Sequence, residues 1–226
     1  MIKALRRIIK SEKKRDAGFT LIEMAVVMVI AGIVVSIMLT VMPSVIKTGK
    51  IKEARAGLSK YDYALQGYAI ANNRLPFADA GVDGVEDNGV FIGNLPFLTL
   101  GLSNGNDVWA NPVKYAVYNS LTGTSDKAGL CAALSAAAGS GFNATIAYVT
   151  SQDACAGANA GNASNQAYVI ASGGPKDLDG ANGFFDLCTG TAGAGFNADN
   201  KIQALNYDDL VMSFSLAELT QKTCSP

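Results

Sequence analysis

Apolar and polar positions divide the chain into stretches of different period. From residue 19 to residue 42 every position is apolar or small except Glu23. A helix over those 24 residues would be about 36 Å long, and a bilayer core takes about 20 residues. Pro43 follows and is expected to kink or loosen the helix locally, because proline removes an amide donor. Beyond it, Ile51, Ala54, Leu58, Tyr61, Leu65, Tyr68 and Asn72 recur at alternating spacings of three and four, while Lys50, Lys52, Glu53, Arg55, Lys60 and Asp62 take the other faces. That period predicts an amphipathic helix. The favoured role of its stripe is a core face packed on the chain's own domain; pairing with another chain as a coiled coil is the sharper alternative. One helix over roughly residues 19–73, about 80 Å long, would thus have a transmembrane half (19–42) and an amphipathic half (43–73).

Residues 74–226 then read as a globular domain. Its first stretch is rich in Asn, Pro and Gly and is loop before it is strand. "VKYAVYNSL" reads as a strand, with Trp109 packed at its entrance. Residues 125–138 read as a short helix capped by Ser125 or Asp126. "TIAYVTS" (145–151), "AYVIASGG" (167–174) and "LVMSFSL" (210–216) read as strands, and "AELTQKTC" as a short closing segment. One long helix followed mainly by strands predicts an α+β fold, an antiparallel sheet laid on the helix.

Charge sharpens this picture. Formal net charge is -1, but residues 1–18 carry seven Lys/Arg against Glu12 and Asp16, whereas the remainder is acidic. A basic block directly before an apolar run stays cytoplasmic, which places the rest across the membrane. Reading the block as a nucleic-acid arm is weak, since no binding motif follows it. The apolar run is too long for an ordinary signal peptide, and no A-x-A site follows it. The break is expected before the run, at Ala17-Gly18-Phe19. A cut after Gly18 removes residues 1–18 as a leader, keeps the helix as an anchor and frees an amine on Phe19. A carboxylate such as Glu23 costs roughly 2.5–3.5 kcal/mol at mid-bilayer, somewhat less near an end, so it calls for a partner.

The chain has no His, which excludes Ser-His-Asp and Cys-His catalysis and makes the usual zinc sites unlikely. Its four Cys, at 131, 155, 188 and 224, form no CxxC pair. In an exported domain an even count reads as two disulfides. Of three pairings, the sequence-local one, Cys131–Cys155 with Cys188–Cys224, is favoured. Asp79, Asp83, Glu86 and Asp87, among Gly81, Gly84 and Gly89, could ligate calcium or simply make polar turns.

The stretch "GFTLIE", behind a basic leader and before the apolar run, resembles the processing site of type IV prepilins and type II secretion pseudopilins. The resemblance implies a pilin-like fold. It also implies that a membrane-embedded prepilin peptidase cuts after Gly18 and N-methylates Phe19. Glu23 takes the motif's acidic position, which in the family meets the N-terminal amine of a neighbouring subunit during assembly. Opposite charges attract far more strongly in a low dielectric, so pairing recovers much of the burial cost. An intramolecular alternative, Glu23 capping amides of its own first turn, is compatible with this. The family's proline stands about one turn earlier than Pro43, which affects packing rather than processing. A looser similarity over residues 50–120 links the chain to the variable domain of some prepilin-like proteins.

The loop before the last strand resembles the calcium loop of major pseudopilins, with Asp177 and Asp179 as ligand candidates and Asp199 and Asp208–Asp209 nearby. It is longer than the usual loop and holds a Cys, so an Asp/Gly turn region tied by Cys188 and Cys224 is the alternative. No cofactor is required; calcium is the one candidate.

Three functions follow. The first is a structural subunit, minor pilin or pseudopilin, of a type IV pilus or type II secretion filament. Its partners would be other subunits, the prepilin peptidase, the inner-membrane assembly platform and, before assembly, lipid. It would cross the bacterial inner membrane once, with a periplasmic domain. The second is a tip or surface subunit that binds DNA, a secreted protein or a surface. The third, an anchored periplasmic enzyme, lacks any nucleophile constellation.

Overall fold

The computed structural model describes residues 18–150, 163–175 and 208–225, and the backbone of 195–197. The chain divides into two compact units, Met1–Thr48 and Gly49–Pro226. Helix α1, Leu21–Asn72, runs through the boundary.

In the first unit every described residue is exposed, and the helix is held only by its own backbone and local side chains. Pro43 does not end it. Hydroxyls on both sides of the proline bond back to carbonyls of the helix itself. Thr40 Oγ1 donates to the carbonyl oxygens of Ile37 (2.8 Å) and Ser36 (3.2 Å). Ser44 Oγ donates to Val41 (2.8 Å), and Thr48 Oγ1 to Ser44 (2.9 Å). Such bonds leave few polar hydrogens facing an apolar surrounding.

In the second unit the helix buries Ala54, Leu58, Tyr61, Leu65 and Ala69. The predicted stripe holds through Leu65 and then slides, so that Ala69 is buried while Tyr68 is half-buried and Asn72 exposed. A straight helix turns at 3.6 residues, and a strict 3.5 pattern drifts off its face. The stripe is a core face of this domain rather than a coiled-coil seam: it shares one cluster with Leu75, Leu95, Tyr115, Tyr168, Leu134 and Leu219. The helix stops at Asn72, where Asn73 takes a left-handed φ of 54°, as asparagine tolerates at a C-terminus.

Strands β1 (Ile92–Asn94), β2 (Lys114–Val117), β3 (Tyr148–Thr150), β4 (Ala163–Ser172), β5 (Gly195–Asn197) and β6 (Leu210–Ser215) form one sheet. β4 is its spine, antiparallel to β2, β3 and β6. β5 pairs parallel to β3. The fold is therefore α+β, a long N-terminal helix with an antiparallel sheet packed against it. Period-two alternation sends Tyr168 and Ile170 of β4 to the helix side and Val169 and Ala171 into a smaller cluster with Ala116, Ala147, Val149 and Val211. Tyr168 stacks on Phe214, its register partner on β6, with ring centroids 5.3 Å apart. Its hydroxyl donates to Asp62 Oδ1 on α1 at 2.6 Å. Burial, reinforced by that carboxylate, pushes the phenol well above its ordinary range.

The helix predicted at 125–138 is α2, Lys127–Gly139, capped by Asp126, whose carboxylate accepts the Gly129 amide at 2.7 Å. The closing segment is helix α3, Leu216–Cys224, opened by a capping box between Ser215 and Glu218. Cys131 of α2 bonds Cys224 of α3, with Cα atoms 5.7 Å apart. This corrects the sequence-local pairing of Cys131 with Cys155 and of Cys188 with Cys224. The error has a physical source: nearness in sequence is no guide once the last helix returns onto α2, 93 residues away. Cys155 and Cys188 themselves lie outside the described residues.

Candidate processing and assembly site

The site predicted at residues 18–23 is a helix start. Thr20 precedes α1, and its hydroxyl accepts the Glu23 amide at 3.3 Å. In return Glu23 Oε2 accepts the Thr20 amide at 3.4 Å, and the Met24 amide reaches the Thr20 carbonyl at 3.1 Å. This is the reciprocal pairing of a capping box. It places the negative group where the helix dipole favours one. The intramolecular role foreseen for Glu23 is thus present in the isolated chain. Thr20 was not singled out from the sequence, although T-x-x-E ahead of an apolar run is the pattern that announces such a cap.

Gly18 and Phe19 precede the cap. A Cβ built on Gly18 would meet nothing within 4 Å, so no packing within the chain demands glycine there. Phe19 and Leu21 are 74% and 89% exposed. The helix that follows is long and apolar enough to cross a membrane, and the most apolar window in it has no buried residue.

The acidic loop considered for calcium is instead bonded to its own backbone. Asp79 accepts the amides of Gly81 (2.6 Å) and Gly84 (2.8 Å). Asp87 accepts that of Ala80 at 2.8 Å, and Asp83 that of Val85 at 2.9 Å. Glu86 receives a two-pronged bond from Arg74 (2.5 and 2.8 Å), the Phe77 amide (2.8 Å) and the Tyr68 hydroxyl (3.1 Å). Burial alone would raise the Glu86 carboxyl, but these donors outweigh it and hold it below the ordinary range. Gly93 lets this loop close, since a Cβ there would sit 2.3 Å from the Asp79 carbonyl oxygen. The amides and the guanidinium thus bond the loop carboxylates within the chain. Among the described residues no group of three or more Cys, Asp or Glu is placed to hold one. Asp177, Asp179 and Asp199 lie outside the described residues. Asp208 and Asp209 are buried just before β6.

A groove of about 420 Å³ in the second unit is lined by Glu53, Lys60, Tyr61, Asn106, Asp107 and Val108 among others. Asp107 already accepts the Ser172 hydroxyl at 2.6 Å and the amides of Trp109 and Asn111 at 2.9 Å each.

A family model described as the prokaryotic N-terminal methylation motif matches residues 13–39. No curated protein and no solved structure matches the chain.

Proposed function

We propose that this chain, which carries the prepilin-type cleavage and methylation motif that marks type IV pilins and pseudopilins, is a structural subunit of a membrane-based helical filament. In that role it is a minor pilin or pseudopilin. The observation that supports the reading most is one sequence segment with one geometry. The motif at 13–39 ends in a helix with no buried residue over its apolar length, and the acid of that motif is already seated at the helix start.

In this reading the prepilin peptidase cuts after Gly18 on the cytoplasmic side and methylates Phe19. The open space around Gly18 supports it: the need for glycine then arises in the peptidase, not in this fold. The freed amine emerges one residue before the Thr20 cap. During assembly Glu23 exchanges its cap for the amine of a neighbouring subunit, the stronger partner in a low-dielectric surrounding. The domain lies across the inner membrane from the leader, and heterologous contacts without closure extend the fibre. The motif's family is structural rather than catalytic.

Mass spectrometry of the native protein tests this. The expected species begins at a methylated Phe19, and Gly18→Val is expected to leave the leader attached to a normally folded domain. A mature protein that retains Met1, with no methyl on residue 19, would overturn the reading.

A further inference from the structure

The Cys131–Cys224 link pairs the thiols against their order in the chain. It joins the first of the four cysteines to the last, across 93 residues, and so closes the longest loop that any two of them can make. Chain statistics disfavour it. In an unstructured chain the loop of about 24 residues between Cys131 and Cys155 closes about eightfold more often than one of 93.

The fold, not the free chain, therefore brings the two sulfurs together, and it does so late. Cys131 lies on α2 and Cys224 ends α3; Leu130 and Leu134 of the first helix share one core cluster with Leu216 and Leu219 of the second. Helix α3 follows β6 directly, since Ser215 ends the strand and caps the helix. β6 is placed in turn by pairing with β4 between Gln166 and Ser172. Cys155 precedes β4 in the sequence. A domain exported behind an N-terminal anchor thus presents Cys131 and Cys155 to an oxidant before the two strands and the helix that position Cys224 have crossed.

We propose that Cys131 first joins Cys155 in a transient, non-native link, and that a thiol–disulfide isomerase, a protein carrying a reduced dithiol, then moves it to Cys224. The proposal rests on export of the domain, as in the filament reading, and uses only the place of Cys155 in the sequence. The first link forms by exchange with a disulfide oxidant: the two chain thiols give up two electrons and two protons, and the oxidant's disulfide becomes a dithiol. An isomerase thiolate then attacks the Cys131 sulfur, whose bond to Cys155 breaks; Cys155 leaves as a thiolate and takes up a proton. The Cys224 thiol loses a proton, and its thiolate attacks the same Cys131 sulfur. The native bond forms and the isomerase thiolate is released. One disulfide is consumed and one is made, so the second stage uses neither oxidant nor reductant. Packing of α2 with α3 holds the final pair together, and exchange stops there.

The test pulse-labels cells making the full chain with heavy isotope, blocks thiols with a membrane-permeant maleimide at intervals, and maps the linked peptides without reduction. The earliest links of Cys131 are expected to favour Cys155 over Cys224 by about eightfold or more, and to convert to Cys131–Cys224 during the chase. In cells lacking their exported disulfide isomerases the early link is expected to persist and the native one to fall several-fold; Cys155→Ser with Cys188→Ser is expected to restore the native link there. Cys131–Cys224 as the first link of Cys131, or its full yield without an isomerase, would overturn the proposal. So would a double variant as dependent on the isomerase as the wild type. The order of links in the wild type decides the matter even where that variant fails to fold. Mature mass is read in the same samples: a chain cut at Gly18 whose native link forms first defeats this proposal alone, whereas an uncut chain with four reduced cysteines defeats the filament reading beneath it.

Discussion

The first unit and the second answer the same question, what a helix packs against, in opposite ways. In Gly49–Pro226 the helix has its own domain: Leu65 and Ala69 are fully buried among residues from the sheet, α2 and α3. In Met1–Thr48 the described helix has no tertiary partner, and its polar hydrogens turn inward to its own backbone. The domain therefore holds its own reasons to fold, while the anchor borrows its surroundings. Damage to one should leave the other's measurable property unchanged.

The largest expected effect is all-or-none and lies in the anchor. Glu23→Val should leave cleavage and membrane retention intact but nearly abolish assembly, read as the associated fraction, with the domain's Tm unmoved. Normal assembly of that variant would break the contrast. In the domain, Cys224→Ser should cost about 4–5 kcal/mol if the cross-link acts chiefly by restricting the unfolded chain across its 93-residue separation. Thermal unfolding with and without reductant measures it. Leu65→Ala should cost about 2–5 kcal/mol as a cavity under the helix, again without altering the mass of the processed form. Peptide mapping should recover the Cys131–Cys224 link in both the wild type and this variant.

The smallest effect is on pH dependence. The Glu86 carboxyl is held low in the folded state, where the Arg74, Phe77 and Tyr68 donors outweigh burial; the Glu218 carboxyl is held low by the Ser215 amide and hydroxyl. The unfolded chain then binds protons first on acidification. Their stabilisation is complete above the ordinary glutamate value of about 4.3 and is lost as pH falls through the lower folded values. Glu86→Gln should flatten part of this acid limb in a Tm–pH series and leave the neutral region nearly unchanged. A matching alkaline limb is expected as pH rises above about 10, because the buried Tyr115 and Tyr168 keep their protons in the folded state.

How far the molecule could be read from its sequence differs between the units in the same way. The helix of the first unit is legible because its physics is local: composition sets it, and Gly18, Phe19 and Glu23 fall within the matched motif. The helix stripe, α2 and the last strand were also legible, since period and capping are local signals. The missed features are non-local. Ile92–Asn94 is a strand only because β2 lies beside it, and three residues give no period to detect. β4 starts at Ala163 rather than 167 because its first residues pair with β3. Thr145, expected to open a strand over 145–151, falls outside β3 because Asn143 accepts both its amide (2.9 Å) and its hydroxyl (2.7 Å), a local competitor to the sheet. The Cys131–Cys224 link depends on where α3 lands, which no spacing reveals. The acidic loop takes the second of its two readings, the polar turn: Asp79 accepts amides contributed by the loop's own glycines.

If α1 crosses a bilayer as proposed, the inward-turned hydroxyls of Thr40, Ser44 and Thr48 bear on its depth there. Because their hydrogens are already bonded, they give headgroups little to grip, and the greasy stretch extends past Pro43 to the first ammonium, Lys47. Residues 24–46 then span about 35 Å against a hydrocarbon thickness of about 30 Å. The surplus can be absorbed by tilt, with the lysine stem reaching up to water.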